Sequence, residues 1–136
     1  MKELTVEAEL DNIETVTEFV NAELDTLDCP MKARIKIDVA IDEMFGNIAR
    51  YAYSGAKGKV TVRFELEENP LTASITFIDS GTPFNPLKKA DPDITLSAEE
   101  RKIGGLGIFL VKKTMDEMDY TYSGGQNILT IKKKLG

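Results

Sequence analysis

The chain has 136 residues, of which 42% are hydrophobic and 29% charged, and its formal net charge is −6. This length and composition are typical of one soluble globular domain, so residues 1–136 are predicted to fold as a single domain. The acidic balance argues against a general nucleic-acid binder, which needs a basic face. No segment approaches the roughly 18 apolar residues of a membrane span, and no apolar signal sequence follows Met1, so the predicted location is the cytoplasm.

The residue types that are missing exclude several kinds of chemistry. The chain contains no histidine and a single cysteine, Cys29. Without histidine it cannot build a Ser-His-Asp or Cys-His nucleophilic system or the commonest zinc sites. It also cannot be its own phosphohistidine acceptor. Cys29 has no partner for an internal disulfide and is predicted to be a structural thiol.

The first 53 residues predict one strand and two helices. Residues 1–9 alternate weakly, as a strand does, and Asn12 is expected to cap the following helix, which ends before Pro30. Residues 31–53 are apolar on more than one side, which predicts the most buried helix of the chain. The apolar positions of the two helical patterns are Ile13, Val16, Val20, Leu24 and Leu27, followed by Ile35, Ile37, Val39, Ile41, Met44, Phe45 and Ile48.

The rest of the chain predicts two hairpins separated by a long loop and a helix. Runs of period two at 59–67 and 71–78 indicate an antiparallel hairpin. Residues 80–103 contain three prolines and little periodicity, so they are predicted to form a lid or binding loop or, in their central part, to be disordered. Ile108, Val111, Met115 and Met118 mark a helix, and a second hairpin turns at 123–126. This order predicts an α+β fold, a two-layer α/β sandwich with a mainly antiparallel mixed sheet and helices on one face.

Glu43 and Asn47 are the first candidate functional pair. They are four residues apart in the predicted central helix, so their side chains lie on one face. A carboxylate there can act as a base, and an amide oxygen can hold a cation. The alternative is a solvated helix face. Because this helix is the most apolar of the chain and buried polar groups need partners, a ligand or ion is inferred.

Two glycine-bearing segments complete the candidate site. Asp79 follows an apolar strand and precedes Gly81, whose missing side chain lets a flat ligand approach the backbone. A buried carboxylate at Asp79 can accept a hydrogen bond from an exocyclic amine such as that of adenine, although a turn-forming aspartate is an equally good reading. Residues 104–107 (GGLG) open a predicted helix, whose N-terminus suits phosphate oxygens, but such glycines more often mark a plain turn.

Together these motifs resemble the GHKL ATPase superfamily, which uses the Bergerat ATP-binding fold. The resemblance is closest to its small single-domain branch, the bacterial anti-sigma-factor serine/threonine kinases. It spans nearly the whole chain and is carried by residues 42–53 (DEMFGNIARYAY), 79–86 (DSGTPFNP) and 104–111 (GGLGIFLV). Each motif is weak alone, but their order and spacing are specific.

The resemblance implies a role for each candidate residue. Glu43 would be the catalytic base, and Asn47 would bind the Mg2+ that bridges the phosphates of ATP. Asp79 would bond the adenine amino group, and Gly81 would line its pocket. A lid of about residues 80–104 would close over the nucleotide. The further nucleotide-binding residues that the resemblance implies are Arg101, Gly105, Leu106, Gly107 and Thr130.

The chain departs from the family pattern at three places. Many relatives carry a histidine soon after the magnesium-binding asparagine, where this chain has Arg50 and Tyr51. Some active kinases carry an arginine two residues before the paired glycines, where this chain has Ile103, with Arg101 close by. Residues 82–84 (TPF) replace a second glycine of the first loop.

The function that the resemblance implies is an ATP-dependent anti-sigma factor that phosphorylates a serine of an anti-anti-sigma protein of the STAS type. It also implies a homodimer that sequesters a sigma factor, with no direct contact to nucleic acid or membrane. One alternative is a regulatory binding module in which ATP orders the lid without phosphoryl transfer. Another is a degenerate domain that binds no nucleotide, which the retained Asn47 and Asp79 argue against.

Overall fold

The computed structural model describes residues 1–88 and 105–136, apart from the side chain of Leu106. Within these residues the chain forms three α-helices and five strands. None of the described helices is both long and apolar enough to span a membrane. The helices are α1 (Ile13–Leu24), α2 (Met31–Asn47) and α3 (Gly105–Thr114), and the strands are β1 (Lys2–Glu7), β2 (Lys59–Glu67), β3 (Thr72–Asp79), β4 (Glu117–Ser123) and β5 (Gln126–Lys134).

The five strands form one sheet in the order β1-β2-β3-β5-β4. All four pairings between these described strands are antiparallel. Strand β3 lies in the middle and is buried along nearly its whole length. Its last residue, Asp79, pairs with Val60 of β2 and with Asn127 of β5. The end of β3 is therefore surrounded by neighbouring strands, which fixes the position of the Asp79 backbone.

The core lies between one face of the sheet and the helices. Val60, Val62 and Phe64 of β2 are buried at every second position, so these side chains point toward the helices. Each side chain buried at this level contributes about 1.5–3 kcal/mol to stability. Two pairs of threonine hydroxyl groups lie on the other face, Thr5 with Thr61 at 2.9 Å and Thr76 with Thr130 at 3.0 Å. The predicted two-layer α+β arrangement is confirmed.

The two predicted helices of the first half form, with local differences. Asn12 does not cap α1, because its side-chain amide donates instead to the carbonyl of Glu7 at 2.9 Å. Helix α2 buries eight residues, more than α1. However, Ile35 and Val39 are exposed on its outer side. The apolar pattern therefore predicted a larger buried surface for α2 than the structure shows.

Helix α3 is shorter than its apolar pattern predicted. It ends at Thr114, and Met118 lies in β4 rather than in the helix. Met115 is buried just beyond the helix end. The apolar spacing continued past the helix end because Met115 and Met118 both pack in the core although they lie outside α3. Most of the predicted lid, residues 89–104, lies outside the described residues.

Candidate functional site

A pocket opens where the C-terminal end of α2 meets the ends of β3 and β5. It has a volume of about 700 Å³, part of which is open to solvent. Most of its wall is apolar or aromatic, with few polar groups to orient a ligand. The lining residues are Met44, Asn47, Ile48, Tyr51, Ala52, Asp79, Thr82, Pro83, Phe84, Pro86, Tyr120, Asn127 and Leu129.

A π-helical turn, Ile48–Ala52, continues α2 and forms part of the pocket wall. Turns of this kind are rare and occur frequently at functional sites. The carbonyl of Ala52 accepts a hydrogen bond from the backbone N–H of Thr82 at 2.8 Å. Gly81 lies so close that a Cβ atom there would overlap the Ala52 carbonyl. Only glycine permits this approach, so the turn and the loop after β3 are joined directly through their backbones.

Asp79 is the buried acidic group of the pocket, with only 4% of its surface exposed. Its Oδ1 accepts hydrogen bonds from the backbone N–H of Gly81 at 2.9 Å and from Nδ2 of Asn127 at 3.0 Å. Among the described residues, no donor reaches Oδ2. A carboxylate held through one oxygen leaves the other available to a donor on a ligand.

Asn127 and Tyr120 are functional candidates that the sequence analysis missed. The Asn127 side chain is 5% exposed and bonds both Asp79 and the loop that follows it. The Tyr120 hydroxyl donates to Oδ1 of Asn127. Burial raises the pKa of Tyr120, so its phenol remains a donor at neutral pH. The signal that could have revealed Asn127 is its register opposite Asp79, but the pairing of β3 with β5 is not readable from either strand alone.

The structure brings the predicted helical pair together. Nδ2 of Asn47 donates to Oε1 of Glu43 at 3.3 Å. Asn47 is 8% exposed and lines the pocket, while Glu43 is half-buried beside it. This bond turns the amide nitrogen toward Glu43 and leaves the amide oxygen of Asn47 for a ligand. The pair therefore combines a carboxylate and a free carbonyl-type oxygen at one edge of the pocket.

The first turn of α3 lies against Glu43. Gly105 is the first residue of α3, and a Cβ atom added at Gly107 would overlap the Glu43 carboxylate. The backbone N–H groups of a helix's first turn have no partner within the helix and attract anions. The predicted residue Arg101, like Ile103, lies outside the described residues, as does the side chain of Leu106.

Thr130 is not part of the pocket. Its hydroxyl is 3.0 Å from that of Thr76, and both residues lie on the polar face of the sheet, away from the helices. Side chains alternate between faces along a strand, so Asn127 and Leu129 of β5 point into the pocket and Thr130 does not. The residue of β5 whose side chain bonds Asp79 is Asn127.

Two groups of residues thus meet at the pocket. We call Asp79, Asn127 and Tyr120 the strand cluster, because all three lie on strands. We call Glu43, Asn47 and Gly107 the helix cluster, because all three lie on helices.

Comparison with known proteins now identifies the fold family. The family profile described as a histidine kinase-like ATPase domain matches residues 6–133. The chain belongs to this family. The match includes every described residue of both clusters.

Curated relatives of this histidine kinase-like ATPase domain are named serine-protein kinase RsbW. The protein from Listeria monocytogenes serovar 1/2a is 29% identical over 101 residues, which are 71% of this chain and 63% of that protein. The protein from Bacillus thuringiensis strain Al Hakam is 32% identical over 96 residues, 69% of this chain and 60% of that protein. The matched part of the chain therefore spans about three fifths of the length of these relatives.

Solved structures confirm the fold of this histidine kinase-like ATPase domain. A crystal structure of the RsbU and RsbW domains of a Mycobacterium tuberculosis protein gives a TM-score of 0.67 at 17% identity, covering 99% of this chain and 33% of that one. The histidine kinase domain of a blue-light activated kinase from Erythrobacter litoralis gives a TM-score of 0.59 at 17% identity, covering 93% and 60%. At such low identity the likeness concerns the fold alone.

Proposed function

We propose that this chain is an ATP-dependent protein serine/threonine kinase that also acts as an anti-sigma factor. The observation that carries the proposal is one pocket that reaches both clusters: the strand cluster offers an acceptor at Asp79, and the helix cluster offers Glu43 and Asn47 beside a helix N-terminus. The serine-protein kinases among the relatives support the same reaction.

The strand cluster is suited to an adenine base. The Oδ2 atom of Asp79 accepts a hydrogen bond from the exocyclic amine, while the apolar walls of the pocket cover the faces of the adenine ring. The phosphates extend toward the helix cluster. There the N-terminal N–H groups and the partial positive charge of α3, which has Gly105 and Gly107 in its first turn, stabilise the negative oxygens. In this proposal about residues 80–104 form the lid that closes over the nucleotide.

The residues present fit a magnesium ion that arrives with the nucleotide. Mg2+ prefers oxygen ligands, and it usually binds through one or two protein groups, substrate phosphates and water. Because the Asn47 amide nitrogen bonds Glu43, the Asn47 oxygen is the group that would hold the ion. The described residues contain no cluster of three or more acidic, histidine or cysteine side chains that could form a complete protein cage. When bound, Mg2+ would neutralise phosphate charge.

Glu43 is the group positioned to accept a proton. In the proposed reaction the serine hydroxyl oxygen of the substrate forms a bond to the γ-phosphorus of ATP, and the bond from that phosphorus to the oxygen of ADP breaks. The hydroxyl proton passes to the Glu43 carboxylate. Phosphoryl transfer depends mainly on positioning and charge stabilisation, so one carboxylate beside the first turn of α3 is sufficient protein chemistry.

We infer the partners from the resemblance and from the relatives' kinase names rather than from a surface of this chain. They are a sigma factor, which the chain sequesters, and a STAS-type anti-anti-sigma protein, which carries the acceptor serine. The proposal includes a homodimer that acts in the cytoplasm. It requires no direct contact with nucleic acid or membrane.

The test begins with calorimetric titration of ATP and ADP, each with and without Mg2+, into the wild type and Asn47→Ala. We expect magnesium to strengthen ATP binding in the wild type and this effect to disappear in Asn47→Ala. Asn21→Ala is the matched control, because the Asn21 amide also donates to a helical carboxylate, that of Asp38 at 2.9 Å, but does not line the pocket. A folded wild type that binds no ATP would overturn the proposal.

The kinase activity is tested separately with ATP labelled at the γ-phosphate and a panel of small STAS-domain proteins. Transfer of label to a serine is the expected result. Magnesium-dependent ATP binding without transfer to any protein of the panel would favour the regulatory binding module over the kinase.

A further inference from the structure

The side-chain amide of Asn127 makes several hydrogen bonds within the protein. Its Nδ2 donates to Oδ1 of Asp79 and to the carbonyl of Thr82, each at 3.0 Å. Its Oδ1 accepts from the backbone N–H of Phe84 at 3.1 Å and from the Tyr120 hydroxyl. An amide has two donor hydrogens and two acceptor lone pairs. All four are therefore satisfied by the protein.

The partners also fix which way the amide faces. The N–H of Phe84 can only donate, so the atom facing it must be the amide oxygen. The nitrogen then faces the Asp79 carboxylate, which can only accept when ionised. A reversed amide would lose both bonds and bring two oxygens together. The network thus has one arrangement in which every bond is made, and in that arrangement the Tyr120 hydroxyl donates to the amide oxygen.

We infer that Asn127, supported by Tyr120, is a positioning residue that orients the Asp79 carboxylate for recognition of the 6-amino group of a purine. The inference rests on the proposed nucleotide function. With Oδ1 held by Asn127 and Gly81, the carboxylate cannot rotate freely, so Oδ2 keeps one direction. Hydrogen bonds to an ionised group are among the stronger ones in proteins, so a preset direction is reflected directly in affinity. Because its donors and acceptors are all used within the protein, the Asn127 amide has no hydrogen bond left for the base.

Asn127 has a second effect on the pocket wall. Through Thr82 and Phe84 the same amide holds the loop that follows β3, and both loop residues line the pocket. A substitution at Asn127 could therefore weaken binding simply by loosening this loop. A loosened wall weakens every purine nucleotide by a similar factor, whereas a misdirected carboxylate weakens only nucleotides that carry the 6-amino group.

The experiment compares ATP with purine riboside 5′-triphosphate, which lacks the 6-amino group, by calorimetry with Mg2+. The variants are Asn127→Asp, which keeps the shape but replaces the donor by a carboxylate oxygen that repels Asp79, and Tyr120→Phe, which keeps the ring but removes the bond to Asn127. We expect the wild type to prefer ATP by about tenfold or more. Asn127→Asp should abolish most of this preference, and Tyr120→Phe should reduce it, while binding of the purine nucleotide changes by less than about threefold.

Thr76→Val is the matched control. It also removes a hydrogen bond from β3, the one between Thr76 and Thr130, but this bond lies on the face of the sheet opposite to Asp79. It should retain the full preference. Equal weakening of both nucleotides, or an unchanged preference in Tyr120→Phe and Asn127→Asp, would overturn the inference. If Asn127→Asp does not fold, Tyr120→Phe decides alone. A wild type that binds neither nucleotide would instead overturn the proposed function on which the inference rests.

Discussion

The strand cluster lines the pocket and the helix cluster borders it at Asn47, and the two clusters are built in different ways. The helix cluster depends on the i, i+4 spacing of Glu43 and Asn47 within α2, and a single bond of 3.3 Å joins the two side chains. In the strand cluster Asn127 bonds Asp79, which lies 48 residues earlier in the chain, and accepts the Tyr120 hydroxyl from the neighbouring strand. The helix cluster is thus local in sequence and held by one hydrogen bond, whereas the strand cluster is assembled from distant segments and held by several.

The two clusters also differ in how a glycine approaches them. At Gly81 an added Cβ would overlap the backbone carbonyl of Ala52, whereas at Gly107 it would overlap the end of the flexible Glu43 side chain. Backbone contacts cannot move without shifting whole elements, but a side-chain end can rotate. We conclude that the strand side of the pocket is rigid and that the helix side can adjust. A rigid strand side suits the binding of adenine, and an adjustable helix side suits the side chains that must move during phosphoryl transfer.

The largest expected effect is on the helix side. Glu43→Gln should lower the rate of phosphoryl transfer by about 10²–10⁴-fold, because the amide cannot accept the proton. ATP affinity should stay within about threefold, because the strand cluster is untouched. Asp42→Asn is the control, since it removes an exposed carboxylate from the adjacent position of α2. Transfer at a near wild-type rate in Glu43→Gln would mean that Glu43 is not the base.

On the strand side, Gly81→Ala should mainly affect stability. Because the new Cβ meets the backbone of Ala52, we expect the free energy of unfolding in urea to fall by about 1–3 kcal/mol. Gly46→Ala is the control. A Cβ there would lie 3.0 Å from Nη1 of Arg50, a flexible side-chain end, and alanine is the better helix former, so its stability should change by less than about 1 kcal/mol. If both variants lose the same unfolding free energy, a clash with the backbone costs no more stability than a clash with a side-chain end.

Gly107→Ala tests whether the helix side adjusts as the comparison requires. Glu43 must move aside, so transfer should slow by about tenfold, while unfolding free energy changes by less than about 1 kcal/mol. Rates with labelled ATP and urea denaturation measure the two quantities on the same samples. If stability instead falls as far as in Gly81→Ala, the helix cluster is as rigid as the strand cluster.

The same difference explains how much could be predicted from the sequence. The Glu43–Asn47 pair follows from helical periodicity, the alternation of β2 and β3 predicted their hairpin, and the order of all the predicted elements predicted the α+β arrangement. Asn127 could not be found this way, because its partner Asp79 lies on a strand that pairs with β5 only after the chain between them has folded back. Thr130 was assigned to the pocket for want of this register. Thr130 lies three positions from Asn127, an odd number, and therefore on the opposite face of β5.

The smallest expected effect concerns Asp116, which belongs to neither cluster and so reports on the fold apart from the pocket. Its Oδ2 accepts the backbone N–H of Lys134 at 2.7 Å and lies 3.3 Å from Nζ of Lys133. The bond from Lys134 is the main cause that lowers the pKa of Asp116 below its ordinary value of 3.8. A lowered pKa in the folded state stabilises the protein above that ordinary value, and this contribution is lost as pH falls through the folded-state pKa.

Asp116→Asn should therefore be less stable than the wild type by no more than about 1 kcal/mol at pH 7. The two curves of unfolding free energy against pH should converge below the folded-state pKa, where the wild-type carboxyl is protonated. Urea denaturation between pH 7 and the acid limit of folding measures both. ATP affinity at pH 7 should be the same in the two proteins, because Asp116 touches no residue of either cluster. A constant difference at every pH would show that packing, rather than the charge of Asp116, joins the start of β4 to the end of β5.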